Sequence, residues 1–152
     1  MFRRFMALVA VTLLVTACAE EPRKPPPQAG VPAPPDVTAA PSDAQRTGSG
    51  ISFKVLTVGT GTRHPRPNSR VTVHYTGWTT DGKSFDSSIG KTPLTIGLDE
   101  VIPGWTEGVQ MMVEGEKRRF WIPANLAYRE NPPGDSPRGL LVFDIELIRI
   151  GS

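Results

Sequence analysis

The amino-acid sequence predicts an α+β fold, a twisted antiparallel β-sheet curled around one short α-helix. Two observations predict this class. Several short segments alternate apolar and polar side chains, as strands with one buried face do, whereas a single stretch has apolar residues at helical spacing. One sheet wrapped over one helix buries the apolar stripe of the helix and one face of the sheet together.

The first strands follow a change in composition at Gly50. Residues 51–57 and 71–76 each alternate, which predicts two strands with one buried face. In the first of them Val55 belongs to the face predicted to be buried. Asp81-Gly82 comes where the second alternation breaks, and both residues tolerate positive φ, which favours a tight hairpin turn. Residues 84–86 are then expected to run back.

The predicted helix begins at Pro103, whose fixed φ and missing N–H are harmless in a first turn. Trp105, Val109 and Met112 then lie on one face. We expect the helix to end near Glu114-Gly115.

The remaining strands come after the helix. Residues 117–122 predict one strand, and an irregular connection is expected to begin at Pro123. Residues 141–148 alternate again and predict a long final strand.

The N-terminus has the features of a targeting signal. Arg3 and Arg4 precede an apolar run over residues 5–17, which is too short for a transmembrane helix of about 20 residues. Val15-Thr16-Ala17-Cys18 resembles the bacterial lipobox, which implies cleavage after residue 17 and acylation of Cys18. The alternative is an ordinary cleavage site beside a lone thiol, but an unpaired cysteine is a liability in an oxidising compartment.

Residues 18–50 are expected to be the lipidated cysteine and a flexible tether. Eight of the 16 prolines lie in this stretch, and aromatic and β-branched residues are scarce, so it cannot bury a core of its own. Extended polyproline II would give it a reach of at most about 100 Å. The alternative is that Pro22–Pro27 is a ligand for a proline-recognition domain. Residues 51–152 are then one globular domain.

Charge and ligand chemistry exclude several function classes. Without Arg3 and Arg4 the chain is formally neutral, so nucleic acid is not an expected partner. His64 and His74 stand apart from other ligand types, so no metal is expected. The basic run 117–119 has acidic neighbours and predicts a solvated face.

Four motifs in one order carry a family resemblance. VHYTG, DGKSFDSS, VIPGW followed by EGV, and LVFDIEL resemble the FKBP-type peptidyl-prolyl cis-trans isomerases, over residues 51–150. The resemblance implies the sheet-around-helix fold that the alternation patterns also predict. It further implies a pocket for proline-containing polypeptides and an affinity for macrolide inhibitors, which the altered 129–139 loop is expected to weaken.

The resemblance also implies the residues of the proline pocket. Asp86 is expected to orient Tyr75 or another donor, and Tyr128 to donate its hydroxyl to the substrate carbonyl. Taken singly, Trp105 could be ordinary core, Tyr75 a packed strand aromatic and Asp86 a turn residue. The predicted catalytic residues are Tyr75, Asp86 and Tyr128, and the predicted substrate-binding residues are Phe85, Leu94, Val101, Ile102, Trp105 and Phe143.

Such a site needs no cofactor and no covalent catalyst. Rotating an X-Pro bond requires the planar amide to lose its resonance, over a barrier of about 18–20 kcal/mol. Because a twisted amide is less polar than a planar one, an aromatic pocket that withholds water favours the transition state.

The sequence therefore predicts a lipid-anchored FKBP-type isomerase of a bacterial envelope that acts on folding proteins. Ala19, rather than aspartate, follows the cysteine, which favours the outer membrane facing the periplasm. A monomer is expected. The alternative is a tethered binding module or chaperone of the same fold, in which the altered loop has lost productive geometry.

Overall fold

The computed structural model describes residues 30–129, 131–132 and 134–151. The predicted signal peptide and Cys18 lie outside these residues. In chain order the elements are β1 Gln45–Arg46, β2 Ser52–Thr57, β3 Arg70–Thr79, β4 Ser84–Ser87, β5 Leu94–Gly97, α1 Pro103–Gln110, β6 Lys117–Ile122, a 3-10 turn Ala124–Leu126, and β7 Leu141–Ile150.

All strand pairs are antiparallel and form one sheet of order β1-β2-β6-β7-β3-β4, with β5 also paired to β3. The two longest strands, β3 and β7, lie side by side in the centre. One helix and one antiparallel sheet confirm the predicted α+β class.

The inner face of the sheet packs on α1. Phe120 of β6 lies opposite Phe143 of β7, and both are buried with Trp105 and Val109 of the helix in one apolar core. The helix approaches the sheet closely at Gly104, where a Cβ atom would overlap the side chain of Ile122. A glycine at this position therefore permits the contact between helix and sheet.

The helix is shorter than the sequence predicts. It ends at Gln110, and the last turn is closed by the Met111 N–H, which donates to the Gly108 carbonyl, and by the Met112 N–H, which donates to the Val109 carbonyl. Gly115, with φ 83°, instead lies in the turn that leads into β6. A left-handed glycine ends helices and opens turns alike, so the residue type alone did not separate the two.

The predicted burial of Val55 is wrong, since its side chain is 39% exposed. The register between β2 and β6 shifts immediately after this residue, and β2 has only the two-residue β1 on its other side. The inner face of β2 is therefore covered at Phe53 and open beyond it.

The predicted flexible tether does not extend to Gly50, because residues 31–46, here called the strap, belong to the folded domain. Gln45–Arg46 form the edge strand β1, and residues 31–44 pack on the outer face of the sheet. Val37 is buried there in a cluster with Trp78, Trp121 and Val142. The composition of the strap does prevent a core of its own, but the sheet supplies the apolar partners.

The predicted solvated face at residues 117–119 is also wrong. The Arg118 side chain pairs with Glu116 and lies over the Phe53 ring, 5.0 Å from its centroid. Arg119 is paired with Asp144 and Asp36 and is largely buried. The acidic partners of Arg119 come from the N-terminal segment and from β7, which the local run of charges did not reveal.

None of the helices in the described ranges is long and apolar enough to cross a membrane.

Candidate active site

A cavity of about 370 Å³ opens between the inner face of the sheet and the start of α1. This volume lies in the range of small-ligand sites. It is lined by Tyr75, Phe85, Asp86, Leu94, Ile96, Glu100, Val101, Ile102, Trp105, Tyr128 and Phe143.

Trp105 forms the floor. Pro103 opens the helix, the backbone N–H of Trp105 donates to the Ile102 carbonyl at 3.0 Å, and the indole belongs to the first turn. The side chain is 5% exposed and meets two rings edge to face, Tyr75 at 5.2 Å and Phe143 at 5.5 Å between centroids. These contacts fix the orientation of the indole plane.

Phe85 and Phe143 form one wall. Their rings meet edge to face at 5.5 Å, across Gly77 of β3. A Cβ atom on Gly77 would lie 2.5 Å from the Phe85 ring and 2.7 Å from the Phe143 ring. Because Gly77, the glycine of the VHYTG motif, has no side chain, the two pocket rings have room to touch.

Tyr75 and Asp86 form the polar edge of the cavity. The Tyr75 hydroxyl donates to Asp86 Oδ2 at 2.6 Å, from β3 to the adjacent β4. Ser88 holds the backbone of Tyr75, because its Oγ accepts from the Tyr75 N–H at 2.9 Å. Burial, followed by the hydrogen bond and the negative charge of Asp86, raises the pKa of the Tyr75 phenol well above its usual range.

Tyr128 also lines the cavity, just after the 3-10 turn, and is 40% exposed. Burial and the nearby charge of Asp86 raise the pKa of its phenol. The next residue, Arg129, has φ 72°, and its N–H donates to the Ala124 carbonyl at 2.8 Å. A left-handed arginine costs about 1–3 kcal/mol, and the surrounding turn holds it in place.

The remaining wall comes from β5 and the residues before α1. Leu94 lies opposite Val73 of β3, and Ile96 lies opposite Val71. Ile102 is the residue before the helix, and Val101 precedes it. These side chains enclose the cavity with apolar surface.

The structure brings together all nine residues that the sequence placed in the pocket, while Cys18 is not among the described residues. Ile96 and Glu100 line the cavity as well and were missed. Ile96 could have been found from its two-residue spacing to Leu94. The Glu100 carboxylate accepts from the Gly97 N–H at 3.0 Å, a local contact without a sequence signature.

The lining makes this cavity, here called the cup, suitable for binding. It offers aromatic and aliphatic walls, two phenol hydroxyls and two carboxylates, and the described lining residues contain no thiol, histidine or lysine. Over the part of the chain that the structure describes, no three His, Cys, Asp or Glu side chains converge to hold a metal ion. The arrangement can hold an apolar ring and orient a polar group beside it.

Known proteins share this sequence and fold. A family model described as FKBP-type peptidyl-prolyl cis-trans isomerase matches residues 61–148. The probable FKBP-type isomerase FkpA of Neisseria meningitidis is 46% identical over 117 residues, which are 75% of this chain and 43% of that protein. The FKBP-type isomerase FkpA of Aeromonas hydrophila is 49% identical over 106 residues, which are 68% of this chain and 39% of that protein.

Solved structures agree. The peptidyl-prolyl cis-trans isomerase of Pseudomonas syringae pv. tomato superimposes with a TM-score of 0.67 at 42% identity, over 74% of this chain and 84% of that chain. FkpA of Escherichia coli gives 0.65 at 39% identity, over 72% of this chain and 52% of that chain. The chain spans less than half the length of the Neisseria and Aeromonas relatives that it matches. Its sequence, its fold and the ordered motifs around the cavity place the chain in the FKBP-type peptidyl-prolyl cis-trans isomerase family.

Proposed function

We propose that this domain is a peptidyl-prolyl cis-trans isomerase that accelerates rotation of X-Pro bonds in folding polypeptides. The observation that carries the proposal is the cup itself. A buried indole floor and two edge-to-face ring contacts enclose apolar space beside one oriented phenol–carboxylate pair. In that arrangement a proline ring can pack on the indole floor, and a peptide carbonyl can lie at the polar edge.

The apolar walls are proposed to act on the amide directly. A planar amide has a larger dipole than a twisted one, so moving the prolyl bond out of water costs the ground state more than the transition state. Trp105, with Val101 and Ile102 beside it, would hold the pyrrolidine ring in place while the bond turns. The uncatalysed step takes tens of seconds or longer.

The polar edge is proposed to position the substrate. The Asp86 carboxylate fixes the Tyr75 hydroxyl through their 2.6 Å hydrogen bond. Tyr128 lines the same cavity, and its neutral phenol is a hydrogen-bond donor whose raised pKa keeps the proton in place at alkaline pH as well. Its hydroxyl would hold the substrate carbonyl while the prolyl amide rotates.

Cellular context is part of the same proposal. The lipobox-like sequence before Cys18 supports a lipid-anchored protein of a bacterial envelope, and Ala19 supports the outer membrane facing the periplasm. Several acyl chains at Cys18 would hold the protein firmly, since each buried methylene adds about 0.8 kcal/mol. Macrolide binding is proposed to be weak, and the protein to act as a monomer.

A second candidate function is a binding module or chaperone with little turnover. The described residues of the 129–139 loop favour it, because Asn131, Gly134 and Asp135 are exposed and offer no apolar wall there. The two functions differ in whether the cup accelerates the reaction or only binds.

The test is cis-to-trans relaxation of a short Phe-Pro peptide, followed without a coupling protease, using the chain from Ala19 onward. We expect the parent to accelerate relaxation and Asp86→Ala to lower kcat/KM about tenfold, as expected when a charged hydrogen-bond acceptor is lost. Asp43→Ala, which removes an exposed carboxylate far along the chain, is the matched control and should leave the rate unchanged. A folded parent that binds the peptide without accelerating relaxation would favour the binding module.

A further inference from the structure

The outer face of the sheet, opposite the proposed active site, carries a row of large apolar side chains. Trp121 of β6, Val142 of β7 and Trp78 of β3 are register partners on neighbouring strands, so they lie side by side across the sheet. All three are nearly fully buried, although α1 packs on the other face. The strap is what covers them.

The two indoles hold the strap through its backbone. Trp78 Nε1 donates to the Val31 carbonyl and Trp121 Nε1 donates to the Asp36 carbonyl, each at 2.9 Å. Val31 precedes Pro32, so the first acceptor belongs to a prolyl amide. Two indole N–H groups aimed at carbonyls of a proline-rich segment are the chemistry by which aromatic grooves recognise such segments.

The strap is built as a peptide ligand. Pro32, Pro34 and Pro35 have no N–H, so the segment can lie on an apolar surface without leaving those donors unpaired. Prolines also limit the conformational freedom that is lost on docking. Val37 is the apolar anchor, because its side chain is buried in one cluster with Trp78, Trp121 and Val142.

A charge pair fixes the register of the strap. Asp36 Oδ1 accepts from Arg119 Nη1 at 2.9 Å, while the other nitrogens of Arg119 form a bidentate pair with Asp144 at 2.6 and 2.8 Å. Arg119 and Asp144 are register partners on neighbouring strands, so their ion pair does not require the strap. The strap adds one carboxylate to this ion pair, that of Asp36, as a bound peptide ligand would.

We propose that this outer face is a second peptide-binding site, selective for a proline-rich segment that ends in an acidic and a branched apolar residue. Its occupant is the chain's own Val-Pro-Ala-Pro-Pro-Asp-Val, residues 31–37, bound in cis. The strap lies before the residues 61–148 that match the family model, and the proposal is independent of the isomerase activity.

The turn at residues 47–50 allows a test on the folded chain. Gly48 and Ser49 are exposed, and the turn is closed by the Gly50 N–H to the Thr47 carbonyl at 3.1 Å. A protease site inserted between Gly48 and Ser49, cut after folding, turns the strap into a separate peptide that stays with the domain only by binding it.

We expect the cut strap to remain with the domain during size-exclusion chromatography at micromolar concentration. An excess of synthetic peptide of residues 30–46 should exchange it out, and the same residues in scrambled order should not. Asp36→Ala should raise the dissociation constant of the strap about tenfold or more, whereas Asp43→Ala, which removes an exposed ion pair of the same segment, should change it less than about threefold.

Three results would overturn the proposal. They are release of the cut strap while the domain stays folded, failure of the synthetic peptide to exchange over days, and equal competition by the scrambled peptide. Exchange is measured in the cut parent, so the test does not depend on the folding of the Asp36 variant.

Discussion

The two tyrosines of the chain share one carboxylate. Tyr75 donates its hydroxyl to Asp86 at 2.6 Å, and the charge of Asp86 also acts on Tyr128. Burial disfavours a phenolate at either position, and removing a proton would also place a second negative charge near that of Asp86. Both phenols therefore hold their protons more tightly in the folded chain than in the unfolded chain, which is the state needed for hydrogen-bond donors.

The first prediction concerns an alkaline titration of the folded protein. Since Tyr75 and Tyr128 are the 2 tyrosines of the whole sequence, tyrosinate absorbance reports on the cup alone. We expect little ionisation near the ordinary pKa of 10.0 and a full change only at higher pH, with the ordinary value restored in denaturant. Asp86→Asn should shift the folded-state curve towards lower pH, because it removes the charge.

The sign of the accompanying stability change follows from proton linkage. Each phenol has a folded-state pKa above its unfolded value, so its contribution to the free energy of unfolding is full below about pH 10 and declines as pH rises towards the folded-state pKa. Folded protein that titrates both phenols at the ordinary pKa would contradict the placement of Asp86 beside them.

At the scale of elements, β3 contributes important side chains to both faces of the sheet. Tyr75 and Gly77 lie on its inner face at the proposed active site, while Trp78 points outward beneath the strap. The central position of β3, between β7 and the short strands β4 and β5, fixes these side chains through pairing on both edges. Small changes in its inner face should therefore alter the cup more than the fold.

Gly77→Ala is the prediction that tests this. The added methyl would collide with the rings of Phe85 and Phe143, and such overpacking costs about 1–3 kcal/mol. We expect a folded protein with a lowered free energy of unfolding and a kcat/KM reduced about tenfold or more, because the wall rings must separate. Urea unfolding and the Phe-Pro relaxation assay measure the two effects.

The matched control is Gly48→Ala. No atom lies within 4 Å of the Cβ position at Gly48, so this change adds the same methyl in open space. Equal losses in both variants would show that the close contact at Gly77 is not what shapes the wall.

At the scale of the whole molecule, the sequence predicted what local patterns determine. Alternation located β2, β3 and β7, because a strand with one buried face alternates apolar and polar side chains. The Asp81-Gly82 turn was predicted because few residues adopt the φ of 85° that Gly82 has. The pocket residues were assembled from ordered motifs, which no single residue among them would have indicated.

The strap was not predictable in this way. Its composition shows that it cannot fold alone, which is true, but its burial depends on partners more than 40 residues away at Trp78 and Trp121. A signal was present in the strands themselves, since Trp78 and Trp121 occupy outward positions where a solvent-facing sheet would have polar residues. Two outward tryptophans indicate that something covers the outer face.

The last prediction concerns where the folded domain begins. A chain that begins at Ile51 should be less stable than one that begins at Gly30. Losing the strap exposes Trp78 and Trp121 and leaves Arg119 with Asp144 alone. Burial of Val37 by itself stabilises by about 1.5–3 kcal/mol, so we expect the shorter chain to unfold with about 2 kcal/mol less free energy. Its tryptophan emission should shift to the red, and exposed apolar surface should promote association. Equal urea midpoints and emission maxima for the two chains would mean that the strap rests on the sheet without stabilising it, and the folded unit would then begin at β2.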